Sequence, residues 1–436
     1  MKKVDISKIT LIAIMVLMTA ISSNINWGKE RWKGIVEADG KGYYAYLPAV
    51  FIYHDLNFGF FDHIEKEKYY NPNRYYDYRA NSGTGQLINK YYSGTAVAEL
   101  PFFVMAHSLT IATNGDADGY SKYYMIFINI AALFYLFLGL FYLRKTLIAY
   151  AIPRWAISAT LVAAVFATNL FVYTVVDTGL SHVFSFGFIS AFIYFTKRYF
   201  NTPKAKSLPV LALLLGIIVL IRPVNLLIIL SWPFLAGSLK SVKEGLKFAI
   251  IHYKNLIFSA AIFVIIVSIQ LIIYKISTGQ LIVYSYQEEG FNFLDPHFID
   301  ILFSYKKGLF LYTPMYLLAM FGLIPFFNKR KFAVLSWLIF FVIITYVFSS
   351  WWMWYYGGSF SSRVYVEYIP LFMILFAVLL AEAKSKKWRI ALLSLTFLLL
   401  VVCQVQTYQY RYYEIHWDEM TKEKYWDVFL MRNRLG

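Results

Sequence analysis

Glu37-Ala38-Asp39-Gly40-Lys41-Gly42-Tyr43-Tyr44-Ala45-Tyr46-Leu47-Pro48 begins only a few residues after the first long apolar run of the chain. An acidic residue at the mouth of a membrane domain is costly unless it is solvated or paired. That marks Asp39, with Glu37 beside it, as the candidate for chemistry; the plain alternative is a helix-end cap or an interfacial charge. Gly40 and Gly42 read as points where the backbone turns sharply. Tyr43 and Tyr46 read as rings for the lipid-water boundary or as a platform for a sugar.

Composition supports a membrane setting. The 436 residues are 59% hydrophobic and only 15% charged, with a mean hydropathy of +0.54. That excludes a soluble enzyme with one large core. The formal charge of +16 does not point to nucleic acid, because the basic residues lie in short clusters between apolar spans. Such clusters are orientation signals and anionic-lipid contacts. Cys403 is the single cysteine, so no disulfide within the chain and no cysteine-based metal site is available. The start of the chain has the form of a signal peptide, with Ala20-Ile21-Ser22 as a cleavage pattern, but an uncleaved first helix is the preferred reading.

Apolar runs near 20 residues read as membrane spans. They fall at about 9–26, 120–143, 155–175, 183–197, 207–221, 223–238, 255–274, 308–326, 332–350, 364–382 and 389–406. The expectation is an all-α polytopic membrane protein of about eleven spans. Lys2-Lys3, Arg144-Lys145, Lys197-Arg198, Lys240 to Lys254, Lys329 to Lys331 and Lys384 to Lys387 then share one side. That puts the N-terminus in the cytoplasm and the C-terminus outside. Residues 1–406 form the membrane module and 407–436 a short outer tail. The first outer loop, 27–119, holds 11 of the 25 acidic residues. Within it, 45–55 reads as an interfacial helix, 95–113 as a helix lying in or re-entering the interface, and 66–90 as a mobile loop. Arg222-Pro223 reads as an outer turn that dips into the protein.

With this orientation the unusual polar residues converge on the outer face: Asp39, Asp177, His182, Arg222, Lys306, Lys307, Arg363 and Glu367. Such convergence argues for an active site. Asp177 reads either as the orienting partner of His182 or as the cap of the following helix. A metal held by Asp177 and His182 rests on two ligands alone. Arg363 follows Gly357-Gly358-Ser359 and reads as a phosphate contact; its plain alternative is a pair with Glu367 one turn on. Arg222 reads as a second phosphate contact or as a snorkelling charge. Lys306 and Lys307 run against the charge bias and favour an anionic ligand outside. Trp354, in the run Trp351 to Tyr356, reads as interfacial belt or sugar platform.

At these residues the chain resembles the GT-C superfamily of multi-spanning glycosyltransferases, in the branch of protein O-mannosyltransferases and lipid A aminoarabinose transferases. The resemblance is carried by Glu37-Ala38-Asp39-Gly40, by Tyr92-Ser93-Gly94-Thr95 leading to Leu100-Pro101-Phe102-Phe103, and by Asp177 to His182. Arg222-Pro223-Val224-Asn225, Gly308-Leu309-Phe310 to Pro314, and Gly357-Gly358-Ser359-Phe360 to Arg363 and Pro370 continue it. It implies a bacterial plasma-membrane enzyme with its site outside. The donor is a polyprenyl-phosphate sugar, its phosphate near basic residues, and the acceptor a glycan, lipid or protein. Asp39 is the implied base in a single, inverting displacement, and a divalent metal is an open requirement. Two departures stand out: no large C-terminal domain follows the last span, and Ala38 separates the two acids. A lipid-linked glycan flippase is the alternative; it predicts internal repeats and midplane charges.

Overall fold

The computed structural model describes residues 5–83 and 85–429. Lys2-Lys3 and the last seven residues of the expected tail lie outside the described residues. The chain is helical. One antiparallel hairpin, Arg79–Asn81 with Leu87–Asn89, is the strand structure among the described residues.

Among the described residues, seven helices are long and apolar enough to cross a membrane: Ile6–Asn26, Gly94–Ala112, Lys122–Ala149, Tyr253–Thr278, Lys331–Ser349, Arg363–Glu382 and Lys386–Arg411. An eighth span exists if Pro223–Ala236 and Leu239–Ile251, bent by 120°, count as one. The eleven expected spans are therefore not all continuous rods. The run 155–175 breaks at Ala167 to Asn169. There the Thr168 hydroxyl takes the Leu170 amide at 3.2 Å, and Asn169 accepts from the Tyr316 hydroxyl at 3.0 Å. The run 308–326 breaks around Thr313-Pro314 and again at Phe321-Gly322, giving three short helices. Proline supplies no amide to an intrahelical bond, which accounts for the first of these breaks. Interrupted backbone is tolerated at membrane depth where protein surrounds it.

Of two loop segments, one is helical as expected and the other changes. The segment 95–113 is one unbroken helix, Gly94–Ala112, packed on Lys122–Ala149, with the Tyr135 hydroxyl donating to Ala98 O at 3.0 Å. The segment 66–90 is not a bare loop. It contains the end of a π-helical turn, His63–Lys68, and the hairpin, and Arg79 lies 3.9 Å from the Phe61 ring centre.

His182–Asn201 is the central rod, held between Lys122–Ala149 and Ser207–Ile221. Glycine makes that approach possible: a Cβ on Gly139 would stand 2.2 Å from the Phe186 ring. Small residues let membrane helices approach closely and gain dispersion contacts. The bundle has two distinct ends. At one, Asn26, His182, Ile221, Trp351, Arg363 and Arg411 surround a common cavity. The opposite helix ends carry Arg144, Lys145, Lys197, Arg198, Lys331, Lys386 and Lys387, with Asp5 paired to Arg144.

Gly94 meets the backbone of Ile221, where an added Cβ would lie 2.2 Å from the amide nitrogen. Overpacking a site of this kind costs about 1–3 kcal/mol. Gly94→Ala is expected to lower the thermal midpoint in detergent by several degrees. Gly28→Ala, with nothing within 4 Å of the new methyl, is expected to leave it unchanged; equal midpoints would refute the packing account.

Candidate active site

The acidic segment enters its helix through a strained residue. Ala38 sits at φ 45° and ψ −129°, immediately before the helix Asp39–Phe51. Such backbone is rare outside glycine and persists where surrounding structure holds it. Gly40 and Gly42 do not supply sharp turns here. They lie inside the helix and admit close neighbours: a Cβ on Gly40 would meet the Gly179 backbone at 3.0 Å, and one on Gly42 the Tyr91 ring at 2.3 Å. The glycines thus fit the first helix of the loop against the 177–181 turn and against Tyr91.

Asp39 and Arg363 meet. The Arg363 Nη2 donates to Asp39 Oδ2 at 2.8 Å, with 14% and 18% of the two side chains exposed. The other carboxylate oxygen accepts from the Tyr91 hydroxyl at 2.8 Å, and the Tyr76 hydroxyl bonds to that of Tyr91. Burial works to raise the Asp39 carboxyl. The Arg363 guanidinium, the Tyr91 hydroxyl and Lys90 outweigh it and hold the group below the usual carboxylate range.

Glu367 does not pair with Arg363. Residues Arg363–Tyr368 form a 3-10 helix. With three residues per turn, positions four apart point about 120° away from each other. Glu367 Oε1 instead meets His182 Nδ1 and Arg222 Nη1, each at 3.0 Å. Glu367 and His182 are 1% and 2% exposed, Arg222 17%. This buried cluster forms the floor under Arg222, which faces the cavity.

Asp177 is neither the partner of His182 nor a helix cap. It accepts from the Tyr410 hydroxyl at 3.2 Å, and the helix His182–Asn201 has Ser181 at its N-cap without a side-chain bond. Burial, and then the charge of Glu37, push the Asp177 carboxyl up to about 7. Glu37 itself is paired to Arg74 at 2.7 Å. Asp177 and His182 therefore face different partners, and among the described residues no three His, Cys, Asp or Glu side chains converge on a metal position.

The remaining candidates divide. The cavity, of about 980 Å³, is lined by Glu37, Asp39, Tyr43, Asp177, His182, Arg222 and Arg363. Tyr46 is buried and ties its hydroxyl to Tyr91 O at 2.6 Å, a supporting contact. Trp354 stacks on His297 at 5.6 Å, off the cavity. Lys306 lies over the Tyr355 ring at 3.4 Å. Lys307 is 2% exposed and bonds the carbonyls of Ser359 and Trp417, so it fastens the tail to the loop before Arg363. Burial pulls its amine down to about 7. Neither lysine lines the cavity among its described residues. Sequence reasoning missed Tyr76 and Tyr91 as partners of Asp39. The available signal was the tyrosine density after Tyr69, which carries no position by itself.

The Asp177 shift has a stability consequence. The folded chain keeps this proton to about pH 7, whereas an exposed aspartate releases it near 3.8. Its contribution is complete below the lower value and is lost as pH rises through the upper one. Wild type is expected to lose thermal stability relative to Asp177→Asn between about pH 4 and pH 7, with a flat difference above. A difference growing in the other direction would refute the burial account.

No protein-family model, no curated protein and no solved structure matches the chain.

Proposed function

We propose that this chain is a membrane glycosyltransferase of the GT-C kind that moves a sugar from a polyprenyl-phosphate carrier to an acceptor on the extracytoplasmic face. One observation carries the reading: a half-buried carboxylate and a guanidinium 324 positions away face each other in a large cavity at one end of the bundle. The cation-rich helix ends lie at the other end, which supports an outward-facing site.

The chemistry follows from the pair. In the resting site Arg363 neutralises Asp39 and weakens it as a base. The phosphodiester of a bound donor competes for the same guanidinium, and its two oxygens suit a bidentate contact. As Arg363 turns to phosphate, Asp39 loses its counter-charge and its basicity rises. The acceptor hydroxyl then gives its proton to Asp39, its oxygen bonds the anomeric carbon, and the bond from that carbon to the phosphate oxygen breaks. The electron pair leaves on the carrier phosphate, where Arg363 and Arg222 balance the charge. Attack opposite the leaving group inverts the anomeric centre, and a phosphate leaving group needs no acid partner. Tyr91 and Tyr76 hold the carboxylate in place.

Asp39→Asn is expected to reduce transfer by about 10²–10⁴-fold, with insertion and abundance unchanged. Purified chain incubated with radiolabelled polyprenyl-phosphate sugars, with and without chelator, reads it through the labelled product. Full activity in the variant removes Asp39 from the mechanism. Labelled carrier moved across a vesicle without product would favour the flippase instead.

Arg363→Gln is expected to weaken donor binding more than acceptor binding and to move the acidic limb of the pH-rate profile upward. The sign follows because the guanidinium lowers the Asp39 pKa. An unmoved limb would separate Arg363 from the base.

A further inference from the structure

Beside the large cavity lies a smaller one of about 180 Å³, the volume of about six liquid waters. Its walls include Trp32, Lys41, Glu65, Tyr70, Asn71 and Arg74. Arg74 lines both cavities. Its Nε stands 2.7 Å from Glu37 Oε1, so this ion pair is the partition between them. Gly34 leaves room for the partition: an added Cβ would lie 3.0 Å from Glu37 Oε1 and 3.1 Å from Arg74 Nη2. Two residues past Glu37 the chain reaches Asp39.

The charges here are matched. Lys41 pairs with Glu65 and donates to Arg74 O at 2.7 Å. Lys68 stands 2.8 Å from Asp118, and Lys33 stands 2.6 Å from Glu30. Each cation on the wall thus already faces a carboxylate, which argues against a phosphate ligand. A space this small with so many polar walls does not suit a lipid chain. The set does suit a ring carrying several hydroxyls. Paired carboxylates and ammonium groups accept and donate charge-assisted hydrogen bonds at fixed angles. Tyr70, on the same wall and largely exposed, provides aromatic surface for the C–H face of such a ring.

We propose that this second cavity seats the acceptor, a neutral sugar ring whose attacking hydroxyl reaches past the Arg74–Glu37 partition toward Asp39. The assignment rests on the glycosyl-transfer reading and adds the acceptor class to it. Tyr70, 58% exposed, and Asn71 both line this cavity.

The test is saturation-transfer NMR on the purified full chain with methyl glycosides of glucose, galactose, mannose, arabinose and N-acetylglucosamine. At least one is expected to bind saturably. The Tyr70→Ala and Asn71→Ala variants are expected to weaken it about tenfold, while Met353→Ala, on the wall of the large cavity only, leaves it unchanged. Thermal midpoints check that each variant is folded. No saturable binding by any of the five overturns the inference. So does binding that Met353→Ala removes and the Tyr70 and Asn71 variants do not, since that ligand would sit in the large cavity. The transfer assay run in parallel separates the two readings. Product formation without glycoside binding overturns this inference alone. Glycoside binding at the wall residues without transfer to any acceptor overturns the transferase reading and leaves a sugar site.

Discussion

The ion pair between Asp39 and Arg363 is the constraint on which the rest of this molecule turns. A carboxylate and a guanidinium held away from water are tolerable only together, because removing one leaves the other uncompensated. Much of the cavity end of the bundle serves to keep them in register. The Gly40–Gly179 contact seats the helix that starts at Asp39. The 3-10 turn from Arg363 aims its guanidinium one way and Glu367 another. Lys307 ties the carbonyl of Ser359, just upstream, to the tail. The pair is strong at rest and is also the element that an anionic ligand would divide.

The second polar cluster has a different character. His182 and Arg222 share one buried carboxylate oxygen of Glu367, each 3.0 Å from it. Such networks hold a cation at a fixed place without leaving it free to wander. Arg222 is therefore a presented charge, fixed from below and open from above. The two arginines of the cavity differ accordingly: one is balanced by the group that would do chemistry, the other by a group that takes no part in it.

Much of this was legible in the sequence, for identifiable reasons. The convergence of Asp39, Arg222, His182 and Arg363 followed from span counting and charge bias, because both depend only on where apolar runs end. The helical class was equally plain. Continuity of the spans was not: Ala167 to Asn169 and Thr313-Pro314 interrupt helices inside runs that hydropathy reads as unbroken, where Asn169 meets the Tyr316 hydroxyl, Thr168 the nearby Leu170 amide and Thr313 the Ser361 hydroxyl. The pairings within the site were also hidden. An i, i+4 spacing suggested Arg363 with Glu367, and only the tighter 3-10 turn separates them. Tyr91 and Tyr76 gave no warning, because a tyrosine-rich loop assigns no single hydroxyl to a carboxylate.

The central rod His182–Asn201 joins the two ends of the molecule, with His182 in the cavity and Tyr199 bonded to Gly245 far from it. On the proposed glycosyl-transfer reading, a carrier that gives up its sugar at the cavity end is spent in that leaflet. Sustained turnover then depends on separate machinery that returns empty carrier for reloading, so the supply of loaded carrier sets a ceiling on how fast such a catalyst works in a cell.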